Sequence, residues 1–477
     1  MTQPADSPAF RLGVEQRGIE FIPREQRYGT PLRLFFVWFG VNLSILCLTV
    51  GMLGISAGLG LEWCFVALML GNLIGTFFMA AHAVQGPHLG IPQMIQSRAQ
   101  FGVLGASLPL IAVLFSTTLY ASANAILIEG TLRILLPVNV DGAIVLFGAV
   151  TVLLAFFGYE LIHRLATALT LLSGALFVTV AILLLKQDAP VHVTAISVNH
   201  FSGSAFILVV TQATAWSLSS APTVADYSRY LPVEVSSART FWCTGLGNFL
   251  ASTLMMMLGA YLAAAFPEIA GHSGIGIARL FGPAQVVAAI LITANLLQVN
   301  IMSLYSAYMS STTIVSSIRG MRRVTLSYKL GSMLLLMGIA TGIALATRDN
   351  FDAYFSDLLA FLVYTLIPWS AINLVDFYWV RHGKYDIDAI FDLNGSYGRI
   401  RWRTILIYLF SIAVQIPFVS LSFYRGPIAH SIGADIAWAP GTLVPALLYY
   451  LTHASVHRWG RKQDEAGYDM DGAHPKR

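Results

Sequence analysis

Residues 34–61 read LFFVWFGVNLSILCLTVGMLGISAGLGL, a stretch without a single charged side chain. A bilayer core about 30 Å thick requires roughly 20 apolar residues for one helical crossing, so this stretch is long enough to span a membrane. Backbone groups in lipid must be hydrogen-bonded within the protein, which favours helices over irregular structure. The stretch therefore predicts an all-α integral membrane protein.

Similar apolar stretches recur along the chain, whose residues are 56% hydrophobic and only 11% charged. They predict twelve transmembrane helices, here called spans 1 to 12, near 34–58, 63–84, 105–132, 141–158, 164–186, 205–226, 240–266, 282–313, 328–347, 351–379, 403–424 and 436–454. Outside the spans we predict an N-terminal segment 1–33, a loop 380–402 and a tail 455–477, with spans 1–10 (34–379) as the core and spans 11–12 (403–454) appended. This division leaves no room for a separate soluble domain.

Positive charge predicts the orientation of the spans. Most of the 28 Lys and Arg residues fall in the N-terminal segment, the even-to-odd loops and the tail, and the exceptions are Arg133, Lys186, Arg279, Arg348 and Arg425. Because Lys and Arg concentrate in cytoplasmic loops, both termini are expected in the cytoplasm and the protein in the cytoplasmic (inner) cell membrane. The net charge of +4 thus reflects topology beside membrane lipid, and does not support nucleic-acid binding.

Spans 1 and 6 contain residues that weaken helices at mid-membrane depth. Span 1 carries Gly40, Asn42 and Ser44, and span 6 carries a polar run that ends at Pro222. Interrupted helices are tolerated in membranes where the freed backbone faces protein or a water-filled cavity. Since the interrupted spans are five apart, spans 1–5 and 6–10 are predicted to be inverted repeats with a substrate site between them. Alternatively, the small residues allow close packing of helices.

Spans 3 and 8 add polar side chains to this interior. Tyr120 and Asn124 lie four residues apart and therefore share one face of span 3. Span 8 carries Asn295, Gln298 and Asn300. Because an unpaired amide in lipid is costly, these side chains are expected to face the bundle interior. They bind a ligand there or connect helices to each other.

Four motifs carry a resemblance to a known family. They are GIEFIPREQRYGTP at 18–31, GPHLGIP with SRAQFG at 86–102, ADYSRY at 225–230 and PWSAINLVDFYWVRHGKYD at 368–386. In this order they resemble the nucleobase:cation symporter family, the purine and cytosine permeases. The likeness covers about residues 17–390, and the last two spans add nothing diagnostic.

The resemblance implies a fold of five-plus-five inverted repeats with discontinuous helices 1 and 6 and two appended helices. Relatives carry purines, cytosine, uracil, allantoin, hydantoins or certain vitamins inward with sodium or protons. Aromatic residues on spans 6 and 3 hold the flat substrate between them, amides on spans 3 and 8 read its edge, and the backbone of span 1 contributes. The matching substrate-binding residues are Trp216, Tyr120, Asn124, Asn300, Asn42, Ser44, Gly40 and Ser217. Some relatives have Trp at the position of Tyr120, and some have an amide where this chain has Leu304.

The residue types agree with such a ligand. A planar heterocycle has two π-faces and a rim of donors and acceptors, and stacking on an aromatic side chain is worth ~1–3 kcal/mol per base in nucleic-acid binders. We therefore predict a secondary transporter that imports a purine or cytosine-type nucleobase. The alternative is a permease for allantoin, a hydantoin or a heterocyclic vitamin. Without a catalytic triad, metal-ligand cluster or ATP-binding motif, neither an enzyme nor a cofactor or metal site is predicted.

Coupling to protons is predicted in preference to sodium. In sodium-using relatives, carbonyls of span 1 and two hydroxyl side chains just before the position of Asn300 hold the ion, and this chain has Gln298 and Val299 there. A hard cation needs several oxygens, and valine offers none. Gln298 and Ser303 remain candidate sodium ligands. Asp357 in span 10 is the candidate proton carrier, although a solvated vestibule explains this residue as well.

Overall fold

The computed structural model describes residues 20–157, 159–186, 200–269, 273–319 and 325–465. Apart from a single β-bridge between Ser420 and Arg425, the regular structure in these ranges is helical. The α-helices are α1 (Leu32–Asn42), α2 (Ile45–Ser56), α3 (Leu61–Ala83), α4 (Gln85–Leu89), α5 (Gln93–Gln96), α6 (Arg98–Phe101), α7 (Ser107–Leu135), α8 (Val140–Phe157), α9 (Tyr159–Lys186), α10 (Gly203–Leu218), α11 (Ala221–Ser228), α12 (Ser237–Ala265), α13 (Ser273–Arg279), α14 (Gln285–Arg319), α15 (Leu326–Thr347), α16 (Phe351–Val375), α17 (Ile387–Phe391), α18 (Trp402–Gln415), α19 (Pro427–Ile432) and α20 (Trp438–Glu465).

Several of these helices are long and apolar enough to cross a membrane. Within the described ranges, five helical segments meet that standard, and the bent pair of α1 and α2 makes a sixth. The five are Leu61–Leu89, Ser107–Leu135, Ser237–Ala265, Gly282–Ile318 and Leu326–Val380. The all-helical membrane architecture is therefore confirmed. Every predicted span overlaps helical segments, but the predicted span 11 is too long, because its helical part ends at Phe418 and residues 419–424 are not helical. The count of twelve spans and the inverted repeats stay predictions.

The long helices fall into two groups by their packing. The first helix group consists of α1, α2, α3, α10, α11 and α12, which pack extensively on one another. The second helix group consists of α7, α8, α14 and α15. α16 contacts both groups through α10 and α7. The two groups therefore meet along α2 and α16.

Backbone contact joins α2 and α12 in the first group. A Cβ atom added to Gly51 would lie 1.8 Å from the carbonyl oxygen of Met256, and one added to Gly259 would lie 1.9 Å from that of Leu48. No side chain fits at such distances, so glycine is required at both positions. Small residues in membrane helices allow this kind of approach, and here it fixes the two helices against each other.

Spans 1 and 6 are both broken. α1 ends at Asn42 and α2 begins at Ile45, with a bend of 60° between their axes. Ser44 adopts an extended backbone and accepts a hydrogen bond from the Cys47 N–H at 3.2 Å, so it caps the N-terminus of α2. In span 6, α10 ends at Leu218 and α11 begins at Ala221 with proline in its first turn. These breaks interrupt the helical hydrogen-bond pattern inside the protein.

Candidate functional site

The two broken spans are joined by Trp216 and Asn42. The indole Nε1 of Trp216 donates a hydrogen bond to Oδ1 of Asn42 at 2.7 Å. Asn42 Nδ2 donates to the Trp38 carbonyl at 2.8 Å and to Oδ1 of Asn248 at 2.9 Å. Both amide hydrogens and the carbonyl oxygen of Asn42 are thus engaged by protein. The hydrogen bond from the indole nitrogen to Asn42 therefore fixes the orientation of the Trp216 ring.

Asn248 continues this network through the first helix group. Its Nδ2 donates to the Thr76 hydroxyl at 2.7 Å and to the Ser217 hydroxyl at 3.1 Å. Ser217 in turn donates to Oδ1 of Asn72 at 2.8 Å. Together with Asn42, these side chains connect α1, α3, α10 and α12 in a buried, hydrogen-bonded cluster. We call this set (Asn42, Asn72, Thr76, Ser217, Asn248) the asparagine network.

Tyr120 of α7 meets Trp216 across the boundary between the helix groups. The ring centroids are 5.9 Å apart and the rings are perpendicular at 89°. The buried Tyr120 hydroxyl has no hydrogen-bond partner among the described residues, although the Ser219 side chain lies near it. The two predicted aromatic residues are therefore in direct contact, edge to face, and only Trp216 is anchored by a hydrogen bond.

Asn124 lies one helical turn from Tyr120 and is completely buried. Among the described residues, neither its Nδ2 nor its Oδ1 has a hydrogen-bond partner. A buried polar group that is left unpaired costs about 1–3 kcal/mol, and most buried amides in proteins avoid that cost. An amide with both atoms unpaired is therefore suited to a ligand that supplies a donor and an acceptor.

Other predicted substrate residues lie apart from this contact. Asn300 is buried against the other helices of the second group, where its Nδ2 donates to the Thr151 hydroxyl at 3.0 Å and lies 4.0 Å from the sulfur of Met337. Gly40 packs against Thr170 of α9, and Ser44 serves as the cap of α2. The structure thus brings together Trp216, Tyr120, Asn42 and Ser217, with Asn124 on the same face as Tyr120.

The coupling-ion candidates are dispersed. Ser303 donates to the Val299 carbonyl of its own helix at 3.0 Å, and Gln298 is half-buried in α14. Asp357 accepts hydrogen bonds from the backbone N–H of Ser422 at 2.9 Å and from the Ser422 hydroxyl. Asp357 therefore connects α16 to the segment between α18 and α20.

The side chain of α14 that reaches the break in span 1 is Asn295. Its Nδ2 donates to the Leu43 carbonyl and to the Ser173 hydroxyl, both at 2.8 Å. The sequence predicts Asn295 only as an interior amide, and it does not identify Asn72 or Asn248 as site residues. All three interrupt apolar runs, and the cost of burying an amide is the signal that identifies such positions.

A buried loop connects the helix groups at the ends that we predict to be cytoplasmic. The Gln93 N–H of α5 donates to Oδ1 of Asp226 in α11 at 2.9 Å, and Nη2 of Arg98 in α6 donates to the Ser317 hydroxyl of α14 at 2.9 Å. Burial lowers the pKa of Arg98 to about 10, so its guanidinium stays charged at neutral pH. The loop therefore bridges the two groups with both neutral and charged donors.

The chain matches a family of known proteins over most of its length. The family model described as permease for cytosine/purines, uracil, thiamine, allantoin matches residues 21–439. The chain belongs to this family. It is 42% identical over 445 residues to the putative purine-cytosine permease YxlA of Bacillus subtilis (strain 168), covering 92% of this chain and 96% of that protein. It is 24% identical over 473 residues to the purine-cytosine permease fcyB of Emericella nidulans, covering 92% and 88%.

Solved structures share the fold of this permease. The inward-facing conformation of Mhp1 has a TM-score of 0.71 and 18% identity, covering 94% of this chain and 95% of that chain. Mhp1 in a closed conformation with bromovinylhydantoin bound, described as a nucleobase-cation-symport-1 family transporter, has a TM-score of 0.69 and 17% identity, covering 92% and 94%. By its family, the chain is a multi-pass membrane permease and not an enzyme.

Proposed function

We propose that this permease imports a purine or cytosine-type nucleobase by alternating access, together with a proton. It would act in the cytoplasmic (inner) membrane with both termini in the cytoplasm, as the distribution of Lys and Arg favours. Its likeness to purine-cytosine permeases supports the substrate class. One observation carries the proposal: an anchored indole, a second aromatic ring and a fully unpaired amide lie on facing helices.

The flat substrate would bind between Trp216 and Tyr120. Two rings that stack on a third must be parallel and roughly 7 Å apart, twice the ~3.5 Å of carbon–carbon contact. In the structure they are perpendicular, so one ring has to turn. Trp216 is held by Asn42, whereas no described residue holds the Tyr120 hydroxyl. We therefore propose that Trp216 is the fixed platform and that Tyr120 turns onto the substrate.

Asn124 would read the edge of the base. An asparagine side chain offers a donor and an acceptor side by side, which allows bidentate pairing with the donor and acceptor of a nucleobase. Asn42, Ser217, Gly40 and Ser44 would act indirectly, because they hold Trp216 or shape the break in span 1. Asn300 would brace α14 against α8 and α15.

We propose proton rather than sodium coupling because Gln298 and Val299 stand just before Asn300, where sodium-using relatives have a pair of hydroxyl side chains. The Ser303 hydroxyl bonds to its own helix, and Val299 has no side-chain oxygen. Asp357 is the titratable candidate. Protonating its carboxylate would weaken the two hydrogen bonds that it accepts from Ser422. Gln298 and Ser303 would be ligands if sodium were the coupling ion.

The experiment has a binding step and a transport step. Purified protein is screened by thermal shift against adenine, guanine, cytosine, uracil, allantoin, a hydantoin and thiamine, because a ligand that binds the folded state raises the melting temperature. We expect a nucleobase to give the largest shift. The ligand that gives the largest shift in melting temperature is then tested for counterflow in proteoliposomes. A larger shift from allantoin, a hydantoin or thiamine would favour the alternative substrates. The family description names allantoin and thiamine, and the closed Mhp1 structure has bromovinylhydantoin bound.

Coupling is tested by initial-rate uptake in vesicles. Uptake should persist when choline replaces sodium, rise with an inward proton gradient and collapse with a protonophore. Strict dependence on sodium would overturn proton coupling while leaving the substrate assignment intact.

A further inference from the structure

The break in span 1 leaves a carbonyl that α2 does not use. Leu43 lies between α1 and α2 with φ −74° and ψ 68°, outside helical geometry. The Cys47 N–H, which in a continuous helix would donate to Leu43, donates instead to the Ser44 hydroxyl. Carbonyls at a helix end need a partner from elsewhere, and within a membrane water is scarce. The partner of the Leu43 carbonyl therefore decides how the break is stabilised.

That partner is the side chain of Asn295. Its amide nitrogen lies 2.8 Å from the Leu43 carbonyl oxygen and 2.8 Å from the Ser173 hydroxyl. Asn295 is 4% exposed, and its own Oδ1 has no hydrogen-bond partner among the described residues. A single donor group thus connects span 1 to span 8 and span 5.

The orientation of the Asn295 amide, where it meets the Leu43 carbonyl and the Ser173 hydroxyl, is informative. If the amide were turned over, Oδ1 would face the Leu43 carbonyl and the Ser173 hydroxyl, and the junction would contain three oxygens. A carbonyl cannot donate a hydrogen bond, so oxygens gathered around it repel unless a positive charge lies among them. A small hard cation has that property and prefers oxygen ligands. The amide hydrogens of Asn295 supply the same partial positive charge without any ion.

We propose that the Asn295 amide takes the place of a cation at the break in span 1, and that Asn295 is a positioning residue for the substrate site. Leu43 directly follows Asn42, which anchors the Trp216 indole at 2.7 Å. Holding Leu43 therefore holds the platform on which the substrate stacks. The role in substrate binding rests on the proposed function, whereas the replacement of a cation does not.

The deciding variant is Asn295→Asp, which keeps the shape of the side chain and replaces the donor by an acceptor. The melting temperature of the purified full-length protein is measured at pH 8 in sodium chloride and in choline chloride at equal concentration. We expect wild type to melt at the same temperature in both salts. Asn295→Asp should melt lower in choline and recover by several degrees in sodium, because a bound ion stabilises the folded state.

Asn248→Asp is the matched control. This variant also introduces a buried carboxylate. The neighbours of the Asn248 amide nitrogen are the Thr76 and Ser217 hydroxyls, which can turn and donate to that carboxylate. We expect this variant to lose stability equally in both salts. Lowering the pH should also remove the sodium effect in Asn295→Asp, since a protonated carboxyl group again offers a donor to Leu43.

Three results would overturn the proposal. One is a wild-type melting temperature that rises with sodium as much as that of Asn295→Asp. Another is a folded Asn295→Asp that does not respond to sodium. If Asn295→Asp does not fold, Asn295→Ser serves instead, since its shorter side chain removes the amide and leaves room for an ion beside a hydroxyl oxygen, and a lack of sodium response there would be the third.

Uptake measurements then test the positioning role. In vesicles, Asn295→Asp should transport roughly fivefold faster or more in sodium than in choline, whereas wild type should show no difference. Equal uptake by Asn295→Asp in both salts, with a sodium response in melting, would overturn the positioning role alone. Because melting needs no substrate, an incorrect substrate assignment would leave the melting result unchanged.

Discussion

The asparagines of the two helix groups are equally buried but differ in how they are paired. In the first group, Asn42, Asn72 and Asn248 leave no buried side-chain atom without a partner among the described residues. In the second group, Asn124 has both atoms unpaired, and Asn295 and Asn300 each leave Oδ1 unpaired. A saturated amide stabilises the fold that it belongs to, whereas an unsaturated one is available to a ligand or a changing partner. Of these described asparagines, only Asn124 has both atoms unpaired, and it is the residue that we propose to bind the substrate.

Packing shows the same difference. In the first group, Gly51 and Gly259 bring two backbones into direct contact, while Gly331, Gly338 and Gly342 of α15 have nothing within 4 Å of an added Cβ. Interlocked backbones permit few alternative arrangements. We infer that the first group moves as one body, and that adjustments to the substrate occur in side chains of the second.

The largest expected effect tests this interlock. Gly259→Val should prevent folding, because even its Cβ would lie 1.9 Å from the Leu48 carbonyl oxygen and a backbone cannot yield as a side chain does. Gly338→Val is the matched control, since its surroundings are open. The measurement is the yield of monodisperse protein after size-exclusion chromatography. Normal yield of Gly259→Val would show that α2 and α12 are not interlocked.

The next largest effect tests the asparagine network. Asn248→Ala removes a partner from Asn42, Thr76 and Ser217, and a buried group left unpaired costs about 1–3 kcal/mol. For a chain of 477 residues this predicts a melting temperature lower by roughly 1–3 °C. An unchanged melting temperature would mean that the network contributes little to the fold.

Much of the architecture could be predicted from the sequence. Uncharged runs predict the helices, because the bilayer imposes their length, and Gly40, Asn42 and Ser44 predict a break in span 1, because they weaken a helix within an apolar run. The break between Leu218 and Ala221 follows similarly from the serines before Pro222. These inferences depend on local chemistry alone.

Partners across helices could not be predicted in this way. Asn295 and Asn300 are five residues apart on one helix, so their side chains point roughly 140° apart and cannot share a site. Which of them faces span 1 depends on how α14 is rotated, and tertiary packing sets that rotation. For the same reason hydropathy does not reveal that Asn42 pairs with Asn248 of α12.

A smaller effect tests the unsaturated amide. Asn124→Ala should leave the melting temperature unchanged or slightly higher, because it removes two unpaired buried atoms. Affinity for the best nucleobase should fall about five- to 150-fold, as expected for 1–3 kcal/mol, and the differences among adenine, guanine, cytosine and uracil should narrow. The measurement is competition of each base against uptake of a labelled one.

Asn300→Ala is the comparison variant for this test. Its Nδ2 bonds to Thr151, so we expect lower stability and an equal loss of affinity for all four bases. If Asn300→Ala narrowed the differences in affinity among the four bases and Asn124→Ala did not, Asn300 would contact the edge of the base and Asn124 would be structural.

The smallest effect tests the anchor between the two regions. Trp216→Phe keeps an aromatic face but loses the hydrogen bond to Asn42, and a neutral hydrogen bond contributes about 0.5–1.5 kcal/mol. Substrate affinity should therefore fall roughly two- to tenfold, while Trp216→Ala, which removes the stack itself, should cost about five- to 150-fold. If the anchor acts through Asn42, Trp216→Phe should cost almost nothing further in an Asn42→Ala background, as a double-mutant cycle measures. If the losses of affinity in the two single variants add up in the double variant, Trp216 is positioned by packing and the asparagine network does not orient the binding site.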